Sequence, residues 1–374
     1  MPLAHYLHLL KSMDADSKKP FRVLTLDGGG MRGLYTASLL LTLAQRFNPK
    51  FKNVKPDIGK SFDLICGTST GAILACALTA GISIDEICNL YIKKGQEIFP
   101  DPVPSKEFPK IWLLKYLKKP SAKENKLKEA ISDCFKEITL KQLYDTRGIR
   151  LCIPTVNAST HRAWVFKTGH NPGKNRDDNY KLVDVCMASS AAPIYLPINE
   201  QNNPDNSSQK QYFVDGGLWA NNPILVGLIE AIAITDENKQ PIELISIGTH
   251  DKPTGDPYAI ANNRWGLISW KAGIKITEMS LSAQAFGYSN MAKFLAQSIN
   301  KRGQNAISIR LESSEKTPEQ YSSIGLDRAD DSAIQTLLGF AISDADHIHS
   351  RVMSNEHYGS SVIKDIFSNI SEIS

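Results

Sequence analysis

The run FDLICGTSTGAILACAL, Phe62 to Leu78, decides how this chain is read. It opens as an apolar strand, closes as an apolar helix, and holds a hydroxyl between glycines where one turns into the other. A strand that bends sharply into a helix exposes the residue at the bend, and glycines on either side tolerate the strained backbone and close contacts there. GTSTG fits Gly-x-Ser-x-Gly, which makes Ser69 a candidate nucleophile with Gly67 and Gly71 completing the elbow. The helix that follows aims its N–H groups and positive dipole end at the same spot, favouring charge that develops on an attacked carbonyl oxygen. The plainer alternative is a junction of small residues that only permits tight packing; the flanking strand and helix favour the catalytic reading.

Outward from this elbow the chain alternates. Strand signals occur at FRVLTL (Phe21 to Leu26), IRLCIPTV, RAWVFKT, QYFVDGG and IELISIG, and helix signals at MRGLYTASLLLTLAQRF, KLVDVCMASSAA and PILVGLIEAIAI. Such alternation predicts an α/β fold, a mostly parallel central sheet sandwiched by helices. GHNPGKNRDDNY and NEQNNPDNSSQKQ are polar and rich in Asn, Gly and Pro, and are expected as surface loops. Beyond His250 the sequence turns more helical and polar, with one strand candidate at AISIRL. No internal repeat or firm linker appears. The expected division is an N-terminal segment 1–19, a catalytic core 20–250 and a mostly helical C-terminal region 251–374 packed on that core.

With 374 residues, 42% hydrophobic and 22% charged, the chain can bury a large core, which excludes wholesale disorder. A formal net charge of +4 without a clustered patch gives no reason to expect a nucleic-acid partner. The six cysteines form no CxxC pair and sit in apolar segments, as reduced core thiols of a cytosolic protein do. MPLAHYLHLLKSMDADSKKP lacks the charged and apolar regions of a signal peptide, and no apolar stretch is long enough to span a membrane. The expectation is a soluble cytoplasmic protein. No histidine-carboxylate cluster has metal-ligand spacing, so neither a metal nor a cofactor is expected.

A serine nucleophile needs a base. Ser69, Asp215 and His250 stand in the chain order of an α/β-hydrolase triad, although His250 follows a strand end where it could equally be a loop residue. A second constellation is LDGGGMRG, which follows the first strand, paired with VDGGLWANNP, which places Asp215 just beyond another strand. Gly28, Gly29 and Gly30 present backbone N–H groups with no side chains in the way, as an oxyanion hole or a phosphate cradle requires, and Arg32 adds a positive charge. Gly28, Gly30 and Gly33 also satisfy the dinucleotide-binding Gly-x-Gly-x-x-Gly. That reading wants an acidic residue about 20 positions on, at the end of a second strand, where this chain has the basic KFKNVKPDIG.

DGGGMRG, GTSTG, ASSAAPIYLP and VDGG, in this order between Phe21 and Ile234, together resemble the patatin-like phospholipases and lipid acyl hydrolases. The resemblance implies a Ser-Asp dyad without histidine. Ser69 would attack the ester carbonyl, Asp215 would take its proton, and Gly28, Gly29, Gly30 and Arg32 would line the oxyanion hole. The family's corresponding strand usually continues with glycine after SIGT, where this chain has His250, which keeps the triad open as an alternative. A pseudoenzyme that only binds lipid is a further alternative, disfavoured because both dyad residues are intact.

The substrate implied is a phospholipid at a membrane surface. KEFPKIWLLKYLKKPSAKENKLKEA mixes Trp112, Leu113 and Tyr116 with many lysines, a composition suited to the headgroup layer of an anionic bilayer or to a surface helix with solvated lysines. Contact would be peripheral, at the inner face of the membrane. In the C-terminal third Arg264, Trp265, Trp270, Lys271 and Lys275 could stack on and charge-pair a small nucleotide, or belong to an amphipathic core helix. Overall size and a compact core with such a tail resemble the bacterial phospholipases switched on by cyclic oligonucleotides in antiphage (CBASS) defence. That resemblance implies a cyclic di- or trinucleotide activator that either drives assembly into a homo-oligomer or opens the site.

Overall fold

A computed structural model describes residues 18–104, 110–250, 266, 270, 273–311, 313–315, 317, 320–321 and 323–373. The strands are β1 (Phe21–Leu26), β2 (Pro56–Asp57), β3 (Leu64–Gly67), β4 (Arg150–Asn157), β5 (Arg162–Lys167), β6 (Asn199–Asn203), β7 (Asn206–Asp215), β8 (Ile242–Ile247), β9 (Ala306–Leu311) and β10 (Ser371–Glu372). The helices of the first half are α1 (Gly33–Phe47), α2 (Thr70–Ala80), α3 (Ile84–Ile98), α4 (Lys110–Lys115), α5 (Glu124–Phe135) and α6 (Leu140–Arg147). Those of the second half are α7 (Leu182–Ser189), α8 (Gly217–Ala220), α9 (Ile224–Thr235), α10 (Ile274–Asn300), α11 (Asp331–Met353) and α12 (Ser360–Ser368).

Strands β4, β3, β1, β8 and β9 lie side by side in that order and run parallel. Antiparallel β5 extends the sheet beyond β4, and antiparallel β7, paired in turn with β6, joins the β3 side of β4 past the end of β3. Because side chains alternate across a strand, Leu24 and Leu26 of β1 enter the core beneath α1, α2 and α11, while Phe21 and Val23 enter the core beneath α9 and α10. Both faces are covered, so strand burial is nearly continuous and apolar alternation is lost, as in parallel sheets generally. The expected AISIRL strand forms as β9 and pairs in register with β8, and α11 packs along α1. Residues beyond 273 thus complete the same sheet and core.

Two expectations change. NEQNNPDNSSQKQ is not a loop: it forms the β6–β7 ribbon, turned at Pro204 and Asp205. Its residues are largely solvated, so it carries no apolar alternation that would have marked it as strand. The lysine-rich segment is not one continuous helix, Trp112 does not face outward, and Tyr116 is half-buried. Trp112 is 5% exposed and donates its indole N–H to the Asp101 carbonyl, while the Tyr116 hydroxyl donates to the Asp101 carboxylate. Ile111, Leu114 and Leu117 are exposed instead, at 82%, 68% and 74%. Residues 105–109 and the Leu113 side chain lie outside the described residues, as do Arg264, Trp265 and Lys271. Among the described residues no helix is long and apolar enough to cross a membrane.

The junction between β3 and α2 leaves no room for side chains at its two glycines. A Cβ on Gly71 would stand 2.3 Å from the Leu26 carbonyl oxygen, and one on Gly67 would stand 2.0 Å from the Gly71 carbonyl oxygen. Both contacts are to backbone that cannot swing aside. Gly71→Ala should therefore lower stability by about 3 kcal/mol, read as a depressed thermal midpoint in circular dichroism. A variant melting with the parent would contradict this packing.

Candidate active site

The register of β4 brings the two dyad candidates together. Along one edge β4 pairs with β5 from Cys152 to Asn157. Its other edge is shared: Cys152 pairs with Cys66 of β3, and Thr155 pairs with Asp215 of β7. β3 therefore runs up that edge and ends where the antiparallel β7 arrives. Ser69 lies three residues beyond Cys66, and Asp215 faces the β4 residue three beyond Cys152, so both reach the same level. Across 146 positions of chain, Ser69 Oγ donates to Asp215 Oδ2 at 2.7 Å.

Ser69 sits at φ 55° and ψ −121°, a conformation that costs a non-glycine residue about 1–3 kcal/mol. Hydrogen bonds hold it there. Its N–H donates to Ser189 Oγ at 2.9 Å, and Ser189 Oγ donates in turn to the Pro154 carbonyl at 2.7 Å. The neighbouring Thr68 hydroxyl donates to the Ala220 carbonyl at 2.6 Å. Asp215 Oδ1 accepts from the Gly217 N–H at 2.6 Å, which orients the carboxylate. Burial pushes the Asp215 carboxyl up to about 6, against the lowering effect of the Gly217 and Ser69 hydrogen bonds.

The glycine loop divides into parts with different duties. The Gly28 N–H donates to the Asn221 carbonyl at 2.9 Å, and the Met31 N–H to the Leu326 carbonyl at 2.8 Å. Gly29 and Gly30 line the cleft beside Ser69, and among the described residues neither N–H has an acceptor. Gly30 adopts φ +56°, and a Cβ there would lie 2.1 Å from the Leu326 oxygen. Two of the four expected oxyanion-hole members are thereby corrected. The Gly28 amide is occupied, and Arg32 is absent from the cleft wall, its guanidinium reaching the His250 carbonyl at 3.4 Å.

The cleft encloses about 120 Å³. Away from Ser69 and Asp215 its wall is formed by Ile73, Leu90, Ile98, Phe99, Leu127 and Leu196, a slot fitted to an acyl chain. The C-terminal third contributes Thr277, Leu281 and Leu326. Gln284 of α10 accepts the Asn221 N–H at 2.5 Å, and Tyr288 donates to the Trp219 carbonyl at 2.8 Å, so α10 props the turn after Asp215. Ser189 and Asn221 lay inside the quoted ASSAAPIYLP and WANNP motifs, but their positioning duties carried no signal of their own. Leu326 and Gln284 had none at all.

His250 is not part of this constellation. Its buried ring stacks on Phe340 at 4.9 Å, meets Tyr35 edge-on at 5.0 Å, and holds Nε2 3.7 Å from Asp344 Oδ2. It does not line the cleft, and Ser69 reaches Asp215 directly with no imidazole between them. The triad alternative is thereby corrected. Among the described residues one group has metal-ligand proximity, Cys152, His170 and Glu230, with candidate ligand atoms within 4.8 Å. Glu230 is already engaged by the Lys167 ammonium, by His170 Nε2 at 3.0 Å and by Asn171 Nδ2 at 2.8 Å, so the cluster is a satisfied ion pair away from the cleft.

The patatin-like phospholipase family model matches residues 24–228, from within the first strand into α9. The chain belongs to the patatin-like phospholipases. It is accordingly a lipid-hydrolysing esterase, and the dinucleotide-binding reading of Gly28, Gly30 and Gly33 is set aside. A relative named cGAMP-activated phospholipase from Escherichia coli is 34% identical, over 88% of this chain and 89% of its own. Another of the same name from Vibrio cholerae is 33% identical, over 71% of this chain and 75% of its own. Patatin-like protein 1 of Arabidopsis thaliana is 28% identical, over 66% of this chain and 63% of its own.

His250→Asn tests the separation of His250 from the cleft, asparagine being a residue that tolerates the local φ of 64°. Esterase kcat/KM should stay within about threefold of the parent. A loss of orders of magnitude in a variant with an unchanged melting curve would restore the triad.

Proposed function

We propose that Ser69 and Asp215 form a catalytic dyad that cleaves acyl esters of membrane phospholipids. The observation that carries this reading is the direct 2.7 Å hydrogen bond from Ser69 Oγ to a buried carboxylate, beside two unengaged backbone amides. Ser69 Oγ attacks the ester carbonyl carbon as Asp215 Oδ2 takes its proton. The oxyanion forms against the N–H groups of Gly29 and Gly30. Asp215 then protonates the departing lysolipid oxygen, and in the second half it activates the water that releases the fatty acid from Ser69.

An unperturbed aspartate, near 3.9, is a weak base for a hydroxyl. Burial narrows the mismatch by raising Asp215 to about 6, while leaving it ionised at neutral pH. The rest of the rate must come from placement and from the amides.

We further infer that the enzyme works at the cytoplasmic face of the inner membrane, as an effector of antiphage defence switched on by a cyclic nucleotide. Likeness to cGAMP-activated relatives over most of the chain supports the switch. Exposed Ile111, Leu114 and Leu117, with Lys110, Lys115, Lys118 and Lys119 interleaved, support peripheral contact with anionic lipid. Leu114→Asp with Leu117→Asp should release the protein from anionic vesicles in sedimentation, with hydrolysis of a short-chain monomeric ester unaffected. Undiminished vesicle binding would exclude this face.

Ser69→Ala and Asp215→Asn should each cut phospholipid hydrolysis by about a thousandfold or more with the fold retained. Full activity in either would end the dyad reading. Because the base acts ionised and its proton affinity is raised, kcat/KM should climb about tenfold per pH unit below about 6 and level off above it. Burial also brings Asp327 to about 6, but its carboxylate accepts the Val103 N–H and does not line the cleft. Asp327→Asn should therefore leave that limb in place.

A further inference from the structure

A second cavity, of about 270 Å³, shares no residue with the lipid cleft. It opens at the free edge of the sheet, where α10 and the end of α11 come round β9. From α10 come Lys293, Gln297 and Asn300, from the last turn of α11 comes Arg351, and from the turn after it come His357 and Tyr358. β9 presents Ala306, Ser308 and Arg310, alternate residues that share one face of the strand.

Its chemistry is that of an anion site with room for a base. Among the described residues no acidic side chain lines it, and neither Lys293 nor Arg351 is paired with a carboxylate. Ser308 in its wall is 97% buried, and among the described residues its hydroxyl has no hydrogen-bond partner, an unmet polar group at the cavity's edge. The His357 Nδ1–H must donate to the Tyr358 carbonyl at 2.7 Å, because a carbonyl only accepts. That leaves Nε2 of the neutral ring as an acceptor for an exocyclic amine. The Tyr358 ring is 63% exposed and available for stacking.

One wall residue also reaches the catalytic loop. Arg310 grips the fully buried Asp27 through both terminal guanidinium nitrogens, with Nη1 to Oδ1 at 2.8 Å, and donates to Ser246 Oγ at 2.7 Å. Asp27 directly precedes Gly28, Gly29 and Gly30. Moving a buried guanidinium against its carboxylate is costly unless the partner follows, so Arg310 couples the cavity to the loop mechanically.

We propose that this cavity binds a phosphodiester-bearing nucleotide of the cyclic dinucleotide class, with Lys293 and Arg351 on the phosphates, and that Arg310 relays occupancy through Asp27 to the Gly29 and Gly30 amides. The proposal rests on the cyclic-nucleotide reading given above and adds a place and a route to it. Ligand binding shifts the loop to the extent that it favours one position of Arg310 over another.

The test is calorimetric titration of the full chain with cyclic GMP–AMP, with glycerol phosphate as the headgroup control, alongside phospholipid hydrolysis. The parent should bind the dinucleotide and not glycerol phosphate. Lys293→Glu with Arg351→Glu should weaken binding at least about tenfold. Tyr358→Ala, a change at an exposed ring, should weaken it without risk to folding. Arg310→Lys should keep binding within about tenfold while kcat at saturating nucleotide falls at least about tenfold and lipid KM stays put, a split that general destabilisation would not produce. Parental affinity in both the charge-reversal and Tyr358→Ala variants would overturn the placement and leave nucleotide activation standing. Preference for glycerol phosphate would make this a headgroup site and overturn the proposal. A parent that neither binds the dinucleotide nor responds to it would overturn both the site and the reading beneath it. Full activation of Arg310→Lys would overturn the relay alone.

Discussion

Everything at the cleft depends on β4 having one edge divided between two strands. β3 leaves that edge after Cys66 and β7 joins it at Thr155, and the gap between them is where Ser69 and Asp215 face each other. Sheet hydrogen bonding fixes this distance. A register slip of β7 would turn Asp215 to the opposite face and remove the carboxylate from the hydroxyl. The Asp215 and Gly216 N–H groups, which donate to the Ala191 and Ser189 carbonyls, hold the end of β7 against such a slip.

The strain at Ser69 is offset locally. Its N–H, its neighbour Thr68 and the preceding glycine loop are each held by a different segment: Ser189 of α7, Ala220 of α8 and Asn221 just after it. Ser189 in turn donates to the Pro154 carbonyl, the Asn221 N–H to Gln284, and Tyr288 to the adjacent Trp219 carbonyl. A buried polar network of this kind is costly when any member is missing and rigid when complete. The rigidity suits a site where the proposed base is only a moderately basic carboxylate. Such a base compensates by being already in place, at hydrogen-bonding distance and partly desolvated.

Legibility in the sequence follows the range of the forces involved. The elbow, its two flanking elements, Asp215 and the glycine loop were readable because strand, bend and helix are local patterns, and because buried parallel strands look alike from within. The division of labour inside the loop was not. Gly28 and Gly29 look identical as letters, yet Asn221 takes the amide of one and leaves the other, a contact set 193 residues away. Arg32 looked electrostatically apt beside the glycines, but its side chain turns to the His250 carbonyl. Trp112 looked like a membrane anchor, and a single acceptor at Asp101 turned it inward and its apolar neighbours outward. His250 was ambiguous for the same reason: its destination beside Asp344 is fixed by α11, far along the chain.

The C-terminal third is where local pattern fails most, and also where the site is most constrained. Leu326 closes on the Met31 amide and stands against Gly30, Thr249 packs against Gly29 while donating to the Gly28 carbonyl, and Arg310 holds Asp27. The same glycines are therefore gripped from one side by residues of the family-matched core and from the other by residues beyond it. A loop held from both sides has a position set by the balance between them, and anything that moves β9 or the residues around Leu326 changes that balance. Placing a ligand-accessible cavity against Arg310 puts that balance within reach of a molecule that never enters the lipid cleft.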